Sequence, residues 1–317
     1  MGHLVLAALA VAVSVAAQPT FELCGEIPVS ADSISVSIFG ATNPFTESTL
    51  ADPGGKFQFR KLPAGAYTIS VNVPGRGEAR RTVEIGPRTA DSSGRVNVTL
   101  NLSPADFAFD DVTRQNSISA RALSVSGRAR HEWDEAHKKL ARRDVDGAVE
   151  HLERAVEISP QFAEAWNTLG TIAYQRHDLR RAETCFRRSL DGNPGLYEAL
   201  VNLGGTLVSE NRPSDALPYN QHAAEERPAD ALANSQLGLT WYELGRLDLA
   251  EQYLDRALEI DPAHFSHPQL VLSEIHQREH RPRDAAEDLE DFLERHPDSP
   301  RAEELRETIA KLRATGE

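Results

Sequence analysis

Apolar and polar residues alternate with a period of two along the first third of the chain. The alternating runs lie at residues 33–39, 56–62, 66–73, 80–85 and 95–102. A period of two places successive side chains on opposite faces of a strand, so Ile34, Val36 and Ile38 are expected to face one core. Turn-forming residues separate the runs at 52–55 and 63–65. The pattern predicts short antiparallel strands packed as a β-sandwich.

The second part of the chain changes to a period of 34 residues, with one step of 35. Prolines mark this period at Pro160, Pro194, Pro228, Pro262 and Pro297. Alanines follow it at Ala148, Ala182, Ala216, Ala250 and Ala285, and small residues at Ala136, Gly170, Gly204, Gly238 and Ser273. Such a repeat predicts an all-α solenoid of paired helices. The small residues indicate close helix crossings, and each proline indicates the end of a second helix.

These patterns divide the chain into five parts. We assign residues 1–17 to a leader, 18–103 to a β domain and 104–123 to a connector. Residues 124–299 are assigned to five repeats, and residues 300–317 to a capping helix with a tail. Residues 104–123 sustain neither period, and we expect them to pack through Phe107 and Phe109. Ser299 is the predicted N-cap of the capping helix. The third repeat is expected to be the weakest, because Pro218 and Asn220 lie in its second helix.

The leader has the pattern of a secretory signal peptide. Residues 4–13 are largely apolar, and small residues follow as far as Ala17, where we expect cleavage. The run is shorter than the roughly 20 residues that span a bilayer. No lipobox precedes Cys24, so the sequence predicts a periplasmic or secreted protein without stable membrane insertion after cleavage. Cys24 and Cys185 lie in different domains and are expected to remain unpaired.

Charge argues against a nucleic-acid partner. The formal net charge is -14, and residues 18–103 are balanced, so the excess lies outside the β domain. Binding to phosphate backbones is driven by Lys and Arg, which displace counterions.

Catalytic and metal-binding motifs are not found in the sequence. Gly204 and Gly205 form no phosphate loop, because they fall in mid-helix on the 34-residue period. His276 and His280 are four residues apart, a helical spacing that can hold a metal, but no further ligand motif completes a site. We therefore predict a non-enzymatic protein with no cofactor and no metal.

The repeat resembles the tetratricopeptide repeat (TPR). Trp166, Leu169 and Gly170, followed by Ala182, Phe186 and Pro194, carry the resemblance. It implies a protein-binding solenoid whose inner face is formed by positions 2, 5, 9 and 12 of each first helix. Here these positions predict a groove of Trp133, His137, Asn167, Thr171, Tyr174, Val201, Gly205, Val208, Ser235, Leu239, Tyr242, Leu270 and Glu274.

This mainly apolar and aromatic groove suits an extended peptide or a partner helix. The basic residues of the family's carboxylate clamp are missing, which disfavours a C-terminal chaperone peptide as the partner. The alternative interpretation is that Trp133, Tyr174 and Tyr242 pack only against neighbouring repeats.

The first domain resembles the carboxypeptidase regulatory-like domain, a transthyretin-like sandwich. The matching residues are Asp52, Gly55, Phe57, Phe59, Leu62, Pro63, Gly65 and Tyr67. The resemblance implies an accessory module without catalytic residues, which serves folding, spacing or adhesion to glycan or protein. Together the two parts predict an exported protein-interaction adaptor. The alternative is an envelope- or glycan-associated module that acts through the β domain, with the repeats as a spacer.

Overall fold

The computed structural model describes residues 19–29, 31, 33–41, 45–107 and 124–315 of the 317-residue chain. The β domain contains seven strands: β1 (Thr20–Glu26), β2 (Ser35–Gly40), β3 (Thr46–Leu50), β4 (Lys56–Pro63), β5 (Gly65–Val73), β6 (Gly77–Ile85) and β7 (Arg95–Thr99). They form two small sheets, in the orders β4-β1-β7 and β3-β2-β5-β6. The predicted signal peptide and Phe109 lie outside the described residues, and the signal peptide stays a prediction.

The two sheets share one hydrophobic core, to which both contribute. Ile34, Val36 and Ile38 are buried in it, as the alternation predicted. Phe107 also enters this core, which confirms its predicted packing role. The expectation of purely antiparallel strands is wrong, because β1 and β7 pair in parallel. The sequence runs also missed β1 and β3. Of these, β3 is an edge strand whose mostly exposed residues show no apolar alternation.

The predicted turns have clear physical causes. Asp52 Oδ1 accepts hydrogen bonds from the backbone N–H groups of Gly54 and Lys56, both at 2.9 Å. Gly55 has φ +77°, in the left-handed region that favours glycine. At the next turn, the buried Tyr67 hydroxyl donates to the carbonyl oxygen of Pro63 at 3.0 Å.

The repeat domain consists of helix pairs, with an eleventh helix at the end of the described residues. The helices are α1 (Gly127–Ala141), α2 (Val145–Ile158), α3 (Ala163–Gln175), α4 (Leu179–Gly192), α5 (Tyr197–Ser209), α6 (Pro213–Glu226), α7 (Ala231–Glu243), α8 (Leu247–Ile260), α9 (Pro268–Arg278), α10 (Pro282–Arg295) and α11 (Ala302–Thr315). Helix α11 is the predicted capping helix, but it begins at Ala302, so Ser299 lies three residues before its first residue and is not its N-cap. No helix of the described residues is long and apolar enough to cross a membrane.

The 34-residue period corresponds to helix crossings, as predicted. All five periodic alanines are fully buried. At Gly170, an added Cβ would lie 2.5 Å from Cε1 of the buried Phe186 ring, so the helices meet too closely for a side chain there. Trp166 is structural, since its indole Nε1 donates to the Pro160 carbonyl oxygen at 2.8 Å.

The third repeat accommodates its two unusual residues. Pro218 lies inside α6 without ending that helix. The side chain of Asn220 is fully buried and its Nδ2 donates to Thr240 Oγ1 at 2.8 Å. The absence of a side chain at Gly204 makes room for Asn220, because a Cβ at Gly204 would overlap the Asn220 amide. Relative weakness of this repeat stays a prediction.

A second periodic feature was not predicted from the sequence. The residue that follows the C-cap of the first helix is left-handed in every repeat, namely Arg143, His177, Asn211, Gly245 and His280. The backbone N–H of each of these residues donates to the carbonyl oxygen three residues earlier, and the N–H of the following residue donates to the carbonyl oxygen five residues before itself. In the second repeat these bonds join His177 to Tyr174 and Asp178 to Ala173, both at 2.9 Å. This is the Schellman motif, in which glycine is favoured. Only Gly245 among the five follows that preference.

We expect His177→Gly to raise the free energy of unfolding by about 0.5–1 kcal/mol. An L-residue in the left-handed region is strained, and glycine removes that strain at the cost of a more flexible unfolded chain. His177 is exposed, with φ 59°. Urea unfolding followed by helical circular dichroism measures the change. His222→Gly, inside α6, should destabilise by about 0.3–0.5 kcal/mol instead. Equal effects of the two substitutions would contradict the strain argument.

Candidate functional site: a cavity between the β domain and the repeats

The β domain docks on the repeat domain through strand β6. Its polar residues Glu78, Arg80, Thr82 and Glu84 alternate and therefore lie on one face of the strand. This face meets successive turns between repeats. Glu78 pairs with Arg227 at 3.7 Å, the Thr82 N–H donates to Asp261 Oδ2 at 2.9 Å, and Glu84 Oε1 lies 3.2 Å from His296 Nδ1. Arg227, Asp261 and His296 each directly precede a periodic proline.

Arg80 is the central charged residue of this contact. Its guanidinium lies 2.7 Å from Glu78, 3.3 Å from Glu198 and 3.6 Å from Asp230. Burial disfavours the charged guanidinium, but these carboxylates outweigh that effect and raise the pKa of Arg80 above its ordinary value. Asp230 also caps α7, because its Oδ1 accepts from Leu232 N at 2.8 Å. Arg80 is therefore paired with carboxylates of both domains.

Further contacts join the two domains outside strand β6. Arg88 N donates to Asp298 Oδ2 at 3.1 Å, and the Arg88 guanidinium also binds the Pro297 carbonyl. At the first repeat, the Arg143 guanidinium binds the Lys61 carbonyl and lies 5.3 Å from the Phe45 ring centroid. The interface therefore spans the repeats from the first to the last.

A cavity of about 380 Å³ remains between the β domain and the first helices of the repeats. This volume lies in the range of small-ligand pockets. Its first wall is the outer face of the four-stranded sheet, with Phe39, Thr68, Arg80 and Thr82, and includes Phe45 beside it. The repeat helices and turns form its second wall. The cavity therefore requires both domains.

Six of the residues predicted for the groove line this cavity. They are His137, Asn167, Thr171, Tyr174, Val201 and Gly205. Asn167 Oδ1 accepts from Asn202 Nδ2 at 3.0 Å, and the Tyr174 hydroxyl lies 3.0 Å from Ser209 Oγ. Burial lowers the pKa of His137, which favours its neutral form.

The other predicted residues do not line the cavity; they are Trp133, Val208, Ser235, Leu239, Tyr242, Leu270 and Glu274. The Trp133 ring centroid lies 4.1 Å from His137 and 6.0 Å from Phe162. Tyr242 donates to Glu274, and its ring lies 4.6 Å from the Arg278 guanidinium of the next repeat. Ser235 is fully buried beside Ser266. Trp133 and Tyr242 thus follow the alternative interpretation, in which the aromatic residues pack between repeats.

Sequence reasoning missed most of the polar lining. Asn202 and Gln236 lie 35 and 69 residues after Asn167, close to the period, and this spacing could have identified them. Asp230 and His264 each lie two residues after a periodic proline. The β-domain wall had no such signal, because alternating polar residues on a strand are equally consistent with a solvated face.

The histidine pair suggested by spacing does not form a helical site. Helix α9 ends at Arg278, and His280 is in the left-handed turn. His276 instead lies between Asp288 (Nδ1 to Oδ2, 2.7 Å) and Glu251 (Nε2 to Oε1, 3.0 Å). Within the described ranges, no group of three or more His, Cys, Asp or Glu side chains could hold a metal ion. Cys24 and Cys185 are unpaired, and burial raises the pKa of Cys185.

The helices, their crossings and their periodicity define the class of the second domain. Family models of the tetratricopeptide repeat match residues 139–203 and 201–264. The repeat domain is therefore built from tetratricopeptide repeats, as the sequence resemblance indicated.

Individual relatives share this part of the architecture. Over 186 residues, 55% of this chain, the sequence is 21% identical to a TPR repeat-containing protein of Rhizobium etli, and 87% of that protein is covered. Over 175 residues, 53% of this chain, it is 23% identical to human trafficking protein particle complex subunit 12. The chain covers only 24% of that relative's length. The structure of PilW, a type IV pilus biogenesis factor, aligns with a TM-score of 0.53 at 24% identity, covering 60% of this chain and 87% of PilW, which shows a common fold.

Proposed function

We propose that this protein is a protein-interaction scaffold that binds an extended peptide segment of its partner in the interdomain cavity. The observation that carries the proposal is the cavity itself, which has the size of a ligand pocket and is lined by six residues assigned to the groove from sequence. The tetratricopeptide repeats support the scaffold role. The β domain then acts as an accessory module that forms the second wall. Its transthyretin-like assignment rests on the sequence resemblance, and the Tyr67 hydroxyl bond to Pro63 joins two residues of that motif.

Amide side chains favour an extended peptide over a helix as the bound form. Asn167, Asn202 and Gln236 come from three successive repeats and all line the cavity. Within the described part of the chain, the Asn167 amide nitrogen and the Asn202 amide oxygen make no hydrogen bond, although the other halves of these two amides bind each other. An extended peptide exposes backbone N–H and C=O groups that such amides can bind, whereas a helix uses these groups internally.

Selection from a random decapeptide library on the intact protein tests this proposal. We expect enriched peptides to bind Asn167→Ala/Asn202→Ala at least roughly tenfold more weakly than wild type, because two backbone hydrogen bonds are lost. Fluorescence anisotropy measures the dissociation constants. Gln221→Ala is the matched control, since it removes an exposed amide outside the cavity. The proposal fails if no peptide is enriched, or if enriched peptides bind the double variant as tightly as wild type.

A further inference from the structure

Asp261 is a buried carboxylate at the wall of the cavity. Asp261 is 4% exposed. Among the described residues its Oδ2 accepts one hydrogen bond, from the Thr82 N–H across the domain interface. Among the described residues, no Lys, Arg or His nitrogen forms an ion pair with it within 4.0 Å. A buried carboxylate is costly unless a cation or several hydrogen bonds compensate its charge. Asp261 therefore lacks the counter-charge that its burial calls for.

The neighbouring groups do not supply that charge. Arg80 is the one arginine or lysine among the described residues that line the cavity, and it is already shared among Glu78, Glu198 and Asp230. His264 lines the cavity and is also buried, and burial lowers its pKa, so the ring is neutral near pH 7. The part of the lining that the structure describes has three carboxylates, Glu198, Asp230 and Asp261, against one guanidinium.

The Thr82 hydroxyl is a second observation that points to a ligand at this end of the cavity. Thr82 is 7% exposed and lines the cavity, and its Oγ1 has no hydrogen-bond partner within the described part of the chain. A buried hydroxyl in a native protein is normally hydrogen-bonded. Its backbone N–H is the group that binds Asp261, so an unsatisfied hydroxyl and an uncompensated carboxylate belong to one contact between the domains.

We propose that the Asp261–Thr82 end of the cavity is a subsite for the guanidinium or ammonium group of a basic side chain in the partner peptide. The cation would neutralise Asp261 and donate a hydrogen bond to the Thr82 hydroxyl. Phe265 lines the cavity four residues after Asp261 in the chain, and its apolar ring suits the alkyl stem of arginine or lysine. This inference rests on the proposed function for its biological partner, but the charge preference can be measured independently of any peptide.

Nuclear magnetic resonance titration of the intact protein tests the subsite with small probes. The probes are the N-acetyl methylamides of arginine and lysine, and of citrulline, which resembles arginine in shape but is uncharged. We expect saturable shifts of the Thr82 backbone N–H with the arginine and lysine probes. The citrulline probe should bind roughly tenfold or more weakly, because it lacks the charge-assisted hydrogen bond.

Two variants separate recognition from domain docking. Asp261→Asn keeps an oxygen that can accept from the Thr82 N–H while it removes the charge, and it should abolish the preference for arginine over citrulline. Thr82→Val keeps the N–H and the carboxylate, so the preference should persist while arginine binding weakens several-fold. Asp248→Asn, 70% exposed and outside the cavity, should behave as wild type.

The inference is overturned if citrulline binds as well as arginine, or if neither cationic probe shifts Thr82. It is also overturned if Asp261→Asn discriminates as wild type does. An arginine preference without any enriched decapeptide would reject the peptide scaffold and keep the cation subsite. Enriched peptides that bind the cavity without a basic residue would reject the cation subsite and keep the peptide scaffold.

Discussion

We expect Arg80→Glu to release the β domain from the repeat domain. The substitution removes the guanidinium that Glu78, Glu198 and Asp230 share and adds a carboxylate in its place. Removing one partner of a largely buried ion pair costs about 3 to 5 kcal/mol, because the remaining charges stay buried and unpaired. We expect the remaining contacts across the interface, which include the Thr82–Asp261 bond and those of Arg88 and Arg143, not to offset a cost of that size. Each domain should remain folded, because each has its own core.

Two measurements report the release. Small-angle X-ray scattering should show a larger radius of gyration, and the Thr82 amide should exchange faster, because its hydrogen bond to Asp261 is made across the interface. Glu198→Arg in the same chain should partly restore both values. Arg60→Glu is the matched control, since Arg60 is 72% exposed and pairs with Glu22 within the β domain. An unchanged radius and unchanged Thr82 protection in Arg80→Glu would show that other contacts hold the domains together.

Gly170→Ala should destabilise the repeat domain by about 2 kcal/mol. Helix propensity alone predicts the opposite sign, since alanine in a helix interior is favoured over glycine by about 1 kcal/mol. The added Cβ would lie 2.5–2.9 Å from three atoms of the Phe186 ring, which is 1% exposed. The ring has little space into which it can move, and overpacking of a core costs about 1–3 kcal/mol.

Urea unfolding followed by helical circular dichroism measures this effect. Phe186→Leu destabilises by itself, but combined with Gly170→Ala it should cost less than the sum of the single changes, because the smaller side chain relieves the clash. Gly127→Ala, with open space around its Cβ, should be neutral or stabilising. A stabilising Gly170→Ala would mean that propensity outweighs the helix crossing.

The docked β domain changes how a partner reaches the groove. Phe39 is 42% exposed and Tyr174 38% exposed, and both line the cavity, so part of it is open to solvent between the domains. A ligand in the cavity contacts both domains and should therefore favour the docked arrangement. The release expected for Arg80→Glu should accordingly weaken binding of any peptide that uses both walls.

The repeat architecture was readable from the amino-acid sequence because its determinants are local. The spacing of Ala182, Phe186 and Pro194 recurs from one repeat to the next, and each repeat packs mainly against its neighbours. Asn167 and Val201 could be placed on the inner face for the same reason. The alternation at Ile34, Val36 and Ile38 likewise predicted the buried face of a strand. Such patterns constrain which side of an element is buried, and they do so without reference to distant residues.

The composite cavity could not be derived in this way, because it depends on contacts between residues far apart in the chain. Thr82 and Asp261 are 179 residues apart, and neither has a local pattern that names the other. A polar strand face such as that of β6 looks the same in sequence whether it meets water or another domain. The left-handed turns at His177 and His280 were also hidden, since most of them do not use glycine. Local periodicity therefore specified the building blocks and their buried faces. Docking, and with it the burial of Asp261 and Arg80, arose from long-range packing and charge pairing that no single segment encodes.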